Sequence, residues 1–579
     1  MKKNNILFLL LLILVIITPS CSDDDKIDTP SISAPEFRTD KEEYIIGETV
    51  YLYAEDLDDD TNQYYWHFGF EGVGAYSTDK NTSITYSRPG TYVIKLTVTN
   101  KDGAYNTSEK EIIIDKVNEA PDVDFDISPT VSVIGEAVKF TDKSKDDGEI
   151  VSWLWNFGDG ATSRDQNPEH TYSEGGFIKV KLTVTDDKGL KSEREKTLYV
   201  RSSLTPGVLN LIWSQTYESS SKLRSVSPAV GDNGNIYVTS NGLKLYSYSP
   251  DGIQNWTFDL SKDGAVGNQE SSPMVDTDGT IYVGVGQGSS SSNAYLYAIN
   301  PDGTEKWKYL VGVGARIAYT SPVLTSEGYI AIGNRGSGGS LKVVDRSGRQ
   351  VWAVTPSGGV GGGLAADNAG NIYAGSTGSN GFSISRDGKV SSIYLGAGSG
   401  ANGTSPAIDL SGNIYIVVTA NNIGSVMSYN NQGVKNWEFT AAGSMNQGGA
   451  AIGADGTIYV GDANGTFYAL TRNGSTKWTY TNAYSITCVP AIDSEGFIHI
   501  TDEGGYYTIL DSNGNVKEQI KLGSKIWSSP VISEYGIIYV TVEDGSECKL
   551  IALDYGIKGP ADSVWAQKGK NARRSGLAN

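Results

Sequence analysis

One short phrase, written eight times, constrains this chain more than any other feature. It reads SPAVGDNGNIYV at 227–238, SPMVDTDGTIYV at 272–283 and SPVLTSEGYIAI at 321–332. GLAADNAGNIYA (363–374), SPAIDLSGNIYI (405–416), GAAIGADGTIYV (449–460), VPAIDSEGFIHI (489–500) and SPVISEYGIIYV (529–540) follow. All eight keep a turn glycine, at 234, 279, 328, 370, 412, 456, 496 and 536, so the steps are 45, 49, 42, 42, 44, 40 and 40 residues. A glycine between two apolar runs supplies the positive φ that a tight hairpin needs. A second strand pair follows within each unit, as in LYSYSPDGIQNW (245–256) and FYALTRNGSTKW (467–478). Four strands per unit, repeated at this period, predict an eight-bladed β-propeller. The last unit ends at LIALDYG (550–556) without a fourth strand, and LNLIWSQTY (209–217) offers one ahead of the first unit. Borrowing it would close the ring and remove an exposed edge.

The second strand pair resembles the pyrroloquinoline-quinone-type (PQQ-like) repeat, Y-A-L-[DN]-x-x-[DG]-G-x-x-x-W. The resemblance implies that the tryptophan docks between blades. Trp213, Trp256, Trp307, Trp352, Trp437 and Trp478 hold that place, while Ser392 and Glu518 replace it in the fourth and seventh units. The tail VWAQKGKNARRSG (564–576) is similar to a segment that flanks such propellers. The family includes quinoprotein dehydrogenases, which hold a quinone with calcium and often pair adjacent cysteines. Cys488 and Cys548 lie in different units, and no calcium-plus-base constellation is visible, so no quinone cofactor is expected. Both thiols are expected buried and free.

Residues 35–202 read as two copies of a small β-unit, each ending in an alternating strand, TYVIKLTVTNKDG (91–103) and FIKVKLTVTDDKG (177–189). The second copy carries WLWNFGDG (153–160) and NPEHTY (167–172), which resembles the polycystic-kidney-disease-type (PKD) domain, an immunoglobulin-like sandwich. The first copy departs from the pattern with WHFGFEG (66–72) and ITY (84–86). The resemblance implies a spacer role, sometimes with weak binding of protein or polysaccharide, and it gives His67 and His170 structural places. The fold class is therefore all-β: two sandwiches, then a propeller.

At the start, Lys2 and Lys3, an apolar run from Ile6 to Ile17 and then ITPSC describe a secretory signal. Cys21 after small residues resembles a bacterial lipobox, which implies a lipidated mature N-terminus. The following SDDD resembles the lipoprotein export signal of Bacteroidetes and implies an outer-membrane lipoprotein facing the exterior. The expected organisation is a signal at 1–20, an acidic linker at 21–34, sandwiches at 35–116 and 117–202, and the propeller at 203–579. Of the formal net charge of −20, residues 21–200 carry −18 and residues 201–579 only −4. That balance speaks against nucleic-acid partners, which need basic patches. Acid clusters at 55–60 and 143–149 are where calcium would find ligands in the stalk, but neither has EF-hand spacing.

Function is sought where the repeat breaks. Three residues before the proline position the units read Ser225, Glu270, Tyr319, Gly361, Gly403, Gln447, Thr487 and Trp527. One place earlier stand Arg224, Gln269, Asn402 and Asn446. A structural constraint would recur eightfold, whereas a ligand site need not. Trp527 and Tyr319 suit stacking on sugar rings, and Arg224, Gln269, Glu270, Asn402, Asn446 and Gln447 suit hydroxyls. His499, in the place of the repeat tyrosine, reads as a core substitution. The leading expectation is a non-catalytic surface lipoprotein whose propeller binds polysaccharide, in company with a neighbouring importer complex. A scaffold for surface or outer-membrane proteins is the alternative, and a polysaccharide lyase or hydrolase the third reading.

Overall fold

The computed structural model describes residues 32–579 apart from 56–60, 73, 203–206, 220–225, 268–270, 287–291, 318, 336–338, 358, 377, 396–398, 401–403, 446–447, 564, 572 and 578–579. Among the described residues every regular element is a strand, and no helix is long and apolar enough to cross a membrane. The chain divides into two compact units, 1–120 and 121–579.

The first unit is a sandwich. A three-stranded sheet (Glu36–Thr39, Thr49–Glu55, Asn81–Thr85) faces a five-stranded one built on the long hairpin Gly90–Thr99 and Tyr105–Asp115. Alternation sends Ile94, Leu96 and Val98 inward onto Trp66, whose indole donates to the Asp79 carbonyl at 2.9 Å.

The second unit opens with another sandwich, of five and three strands, around Trp155. Here the motif residues lock one corner. His170 bonds Asp159 at 2.7 Å and stacks on Phe157 at 4.3 Å, and the Tyr172 hydroxyl donates to the Phe157 carbonyl at 3.1 Å. The first sandwich keeps only the last of these, as Tyr86 donating to the Phe68 carbonyl at 2.8 Å.

Eight antiparallel sheets follow among the described residues; seven are stacked in chain order from a short inner strand outward, the fifth of them with an extra two-residue strand, Ser399–Gly400, also paired to its second strand. The first runs Ala229–Val230, Ile236–Ser240, Lys244–Tyr248 and Gln254–Asp259. The eight turn glycines all adopt positive φ, between 70° and 84°. The last sheet takes its outer strand, Asn210–Ser219, from ahead of the first repeat, in register from Asn210 opposite Asp554 to Ser219 opposite Glu547. That is the expected closure. Nearly all side chains of the middle strands are buried, because each sheet packs on both faces against its neighbours.

The second sandwich packs directly on the propeller. Val131, Phe177 and Tyr199 share one core with Tyr535, Tyr539 and Tyr248 of the propeller. Beside them the Arg201 Nε meets Asp554 at 3.1 Å, with both side chains buried. Tyr199 also donates to Asp554 at 3.3 Å, and Arg201 donates to the Ile557 carbonyl.

Candidate binding face of the propeller

Antiparallel order fixes which loops share a face. Each inner strand runs toward its glycine turn, so first-to-second and third-to-fourth turns lie on one face, the turn face. Loops entering the inner strand and those joining the second to the third strand lie on the other, the loop face.

The turn face is occupied. The tail crosses its centre, accepting from the inner-strand amides of Val275 (onto the Arg573 carbonyl, 3.0 Å), Leu324 (Ser575, 2.8 Å) and Ala366 (Gly576, 2.8 Å). It likewise takes Ile452 onto Trp565 (2.8 Å) and Ile492 onto Ala566 (2.9 Å), while the Gln567 side chain bonds both backbone groups of Ile532. The innermost strand is each sheet's open edge, and the tail covers six of them. At the rim, the second sandwich rests on the turns of the eighth, first and second sheets across a cleft of about 970 Å3. Much of the charge lining that cleft is already paired: Asp276 with Arg346, Asp278 with Lys306, Asp232 with Arg573 and Lys179 with Glu195.

The loop face carries a contiguous aromatic and charged strip across the seventh and eighth sheets. Tyr484, 43% exposed, stacks on Tyr506 with ring centres 5.8 Å apart. It lies so close to Gly504 that a Cβ there would sit 2.3 Å from the ring. The Lys521 ammonium lies 5.4 Å from the Tyr506 ring centre. Glu503 reaches Lys525 at 3.5 Å, and the Lys525 ammonium sits 4.0 Å from the centre of the half-buried Trp527 ring. Beneath the strip, burial pushes the Asp502 carboxyl up, opposed by the amides of Gly504 and Tyr506 and by the Asn482 side chain. Those bonds hold the loop that presents Tyr506. Across the face, half-buried Tyr319 has a φ of 62°, a strained setting for an aromatic residue, with the Arg335 guanidinium 5.9 Å from its ring centre.

Of the eight expected ligand-binding residues, Trp527 and Tyr319 are described and stand on this face. Arg224, Gln269, Glu270, Asn402, Asn446 and Gln447 lie outside the described residues, as do Cys21 and the acid run 56–60. Tyr484 and Tyr506 were not anticipated. Their signals are an aromatic six residues before Pro490 and the doubled tyrosine 506–507, neither of which has a counterpart in the other repeats.

The repeat tryptophans do something else. Trp213, Trp256, Trp307, Trp437 and Trp478 each donate an indole hydrogen bond of 2.8–2.9 Å to a turn carbonyl of the following sheet, at Pro250, Pro301, Arg346, Arg472 and Ser512. Trp352 packs on Gly388, its ring 3.4 Å from the place of a Cβ. His499 is fully buried between Asp493 (2.9 Å) and the Tyr507 hydroxyl (2.7 Å). Tyr373 and Tyr415 reach Asp367 and Asp409 from the same place in their repeats, so His499 extends a structural contact. Cys488 and Cys548 are buried thiols outside any disulfide among the described residues, and burial pushes the Cys488 thiol up. Among the described residues no group of three or more His, Cys, Asp or Glu is placed to hold a metal.

A model described as PKD domain matches residues 33–114 and 118–201. A model described as outer membrane protein assembly factor BamB matches 207–336 and 337–546, more than half of the chain. The chain belongs to this BamB family. Solved structures similar to this chain include BamB from Moraxella catarrhalis, at 14% identity and a TM-score of 0.46, covering 60% of this chain and 98% of that one. Quinohemoprotein alcohol dehydrogenase from Comamonas testosteroni gives 14% identity and a TM-score of 0.48, covering 60% and 76%. Among curated proteins, collagenase ColQ1 of Bacillus cereus (strain Q1) is 33% identical over 171 residues, 25% of this chain and 18% of the collagenase. The chain thus spans less than a fifth of the length of that relative.

Proposed function

We propose that the chain is a non-catalytic lipoprotein of the outer-membrane surface, anchored through Cys21, that binds polysaccharide on the loop face of an eight-bladed propeller. The observation that carries this reading is the contrast between the two faces. The tail and the second sandwich cover the turn face, whereas the loop face keeps an open strip of Tyr484, Tyr506 and Trp527 flanked by Lys521, Lys525 and Glu503. Aromatic faces stack on the C–H faces of sugars, and charged neighbours bond hydroxyls. On this reading residues 1–20 are the signal, 21–34 a linker, and 35–116 and 117–202 the two PKD domains. The second PKD domain, fixed to the turn face, directs the loop face away from itself.

The BamB family model favours a second reading, a scaffold for outer-membrane protein assembly that would use the same loops on protein segments. Affinity electrophoresis of the full chain through gels containing a panel of polysaccharides separates the two. Retardation by at least one polysaccharide, abolished in Trp527→Ala or Tyr484→Ala, is the expected result. Migration unchanged in every gel would overturn the glycan reading in favour of the scaffold.

A further inference from the structure

Two cations of the tail point into the propeller rather than out of it. Lys568 and Arg574 are only 9% and 3% exposed. Both approach Ser227, which stands just ahead of the first inner strand: the Lys568 Nζ is 3.5 Å from its hydroxyl, and an Arg574 Nη donates to its carbonyl at 3.4 Å. Arg574 is held there by a backbone in the left-handed region, φ 61°. Its Nε is buried and has no hydrogen-bond partner. A guanidinium is a rigid fork of five donors, and leaving one of them dry and unpaired is costly.

Ser227 belongs to a belt of serines around the channel. The Ser227 amide donates to the Ser272 hydroxyl at 3.0 Å, Ser272 to Ser321 at 3.1 Å, Val489 to Ser529 at 2.9 Å, and Ser529 back to Ser227 at 3.0 Å. In these contacts the Ser227 oxygen accepts, so its own hydrogen is available to donate. Burial, and after it the neighbouring Arg574, push the Lys568 ammonium's hold on its proton well down, and the Cys488 thiol acts the other way. Burial lowers Arg574 as well, to about 9. Two desolvated cations side by side repel each other, and an anion between them would relieve the repulsion and supply acceptors.

We propose that Lys568, Arg574 and Ser227 form an anion site inside the channel that takes a carboxylate or an inorganic oxyanion. The site is independent of the glycan strip, since it is built from the tail and the first inner strand. The anion could be free in solution or be the carboxylate of an acidic sugar, and the two sources are separable. Calorimetric titration of the full chain with inorganic phosphate, and separately with glucuronate, is the direct test. Saturable binding of phosphate at one per chain identifies a free-anion site; saturable binding of glucuronate alone identifies a site for a sugar acid.

Thermal unfolding at matched ionic strength is the second readout. Phosphate should raise Tm above its value in chloride, and the rise should vanish in Lys568→Met and in Arg574→Gln. Lys568→Met removes the like-charge repulsion, so it should fold at least as well as the parent in chloride. Phosphate also stabilises proteins generally by exclusion from their surface. An equal rise in parent and variants, or no saturable binding of either probe by the parent, would overturn the proposal.

Discussion

At the scale of the residue, the repeat is held by a pairing that its own consensus spells out. Each docking tryptophan lies flat on the turn glycine of the following sheet, and a Cβ on Gly474 would sit 2.6 Å from a ring carbon of Trp437. Gly474 also has a φ of 82°. Gly474→Ala therefore meets both strain and a clash, and should cost about 1–3 kcal/mol, read as a lowered midpoint in denaturant unfolding. The turn acids work through backbone amides. Asp345 is held down to about 2 by bonds from the Ser347 hydroxyl, then the Arg349 and Ser347 amides. Its ordinary value is about 3.9, so its charge adds stability that is fully present above about pH 4 and lost as the pH falls through about 2. The gap in Tm between the parent and Asp345→Asn should close over that window. Both features were legible in sequence because they recur. Tyr484 was not: it lies outside the two loop columns compared, and its partner Tyr506 comes from another loop.

Elements were legible where one sheet's own pattern determined them. The alternating strands of the sandwiches follow from burial at a period of two, and the glycine turns and the closing strand Asn210–Ser219 follow from the repeat itself. Contacts between domains have no such period. Arg201 ends the last strand of the second sandwich, and nothing near it in sequence announces Asp554, more than 350 residues later. The sequence therefore read as two spacers, while the fold joins the second sandwich to the propeller through a buried ion pair and a tyrosine-rich core. Removing one member of a buried pair strands the other charge and costs about 3–5 kcal/mol. Arg201→Ala should accordingly unfasten the joint. In scanning calorimetry the second sandwich and the propeller should melt together in the parent, and the sandwich should melt ahead of the propeller in the variant. A single transition merely shifted to lower temperature would mean that the tyrosine core holds the joint without the charges.

At the scale of the whole molecule, the propeller's two faces have different occupants, and that asymmetry carries the functional reading. Glycine turns, the tail and the second sandwich fill one face; irregular loops with unrepeated aromatic residues make up the other. Family membership gives the architecture, and the unrepeated aromatic residues on the loops set that face apart from the repeat itself. Much of the net negative charge lies in the N-terminal third, which leaves the propeller nearly neutral and open to uncharged ligands. The most direct measurement is calorimetric titration of a polysaccharide that retards the parent chain into three variants. Tyr484→Ala and Trp527→Ala alter the loop face, and Asp251→Asn alters the turn face. Affinity should fall by at least tenfold in the first two and stay unchanged in the third. Equal affinity in all three, or a loss confined to Asp251→Asn, would contradict the assignment of the loop face as the binding face.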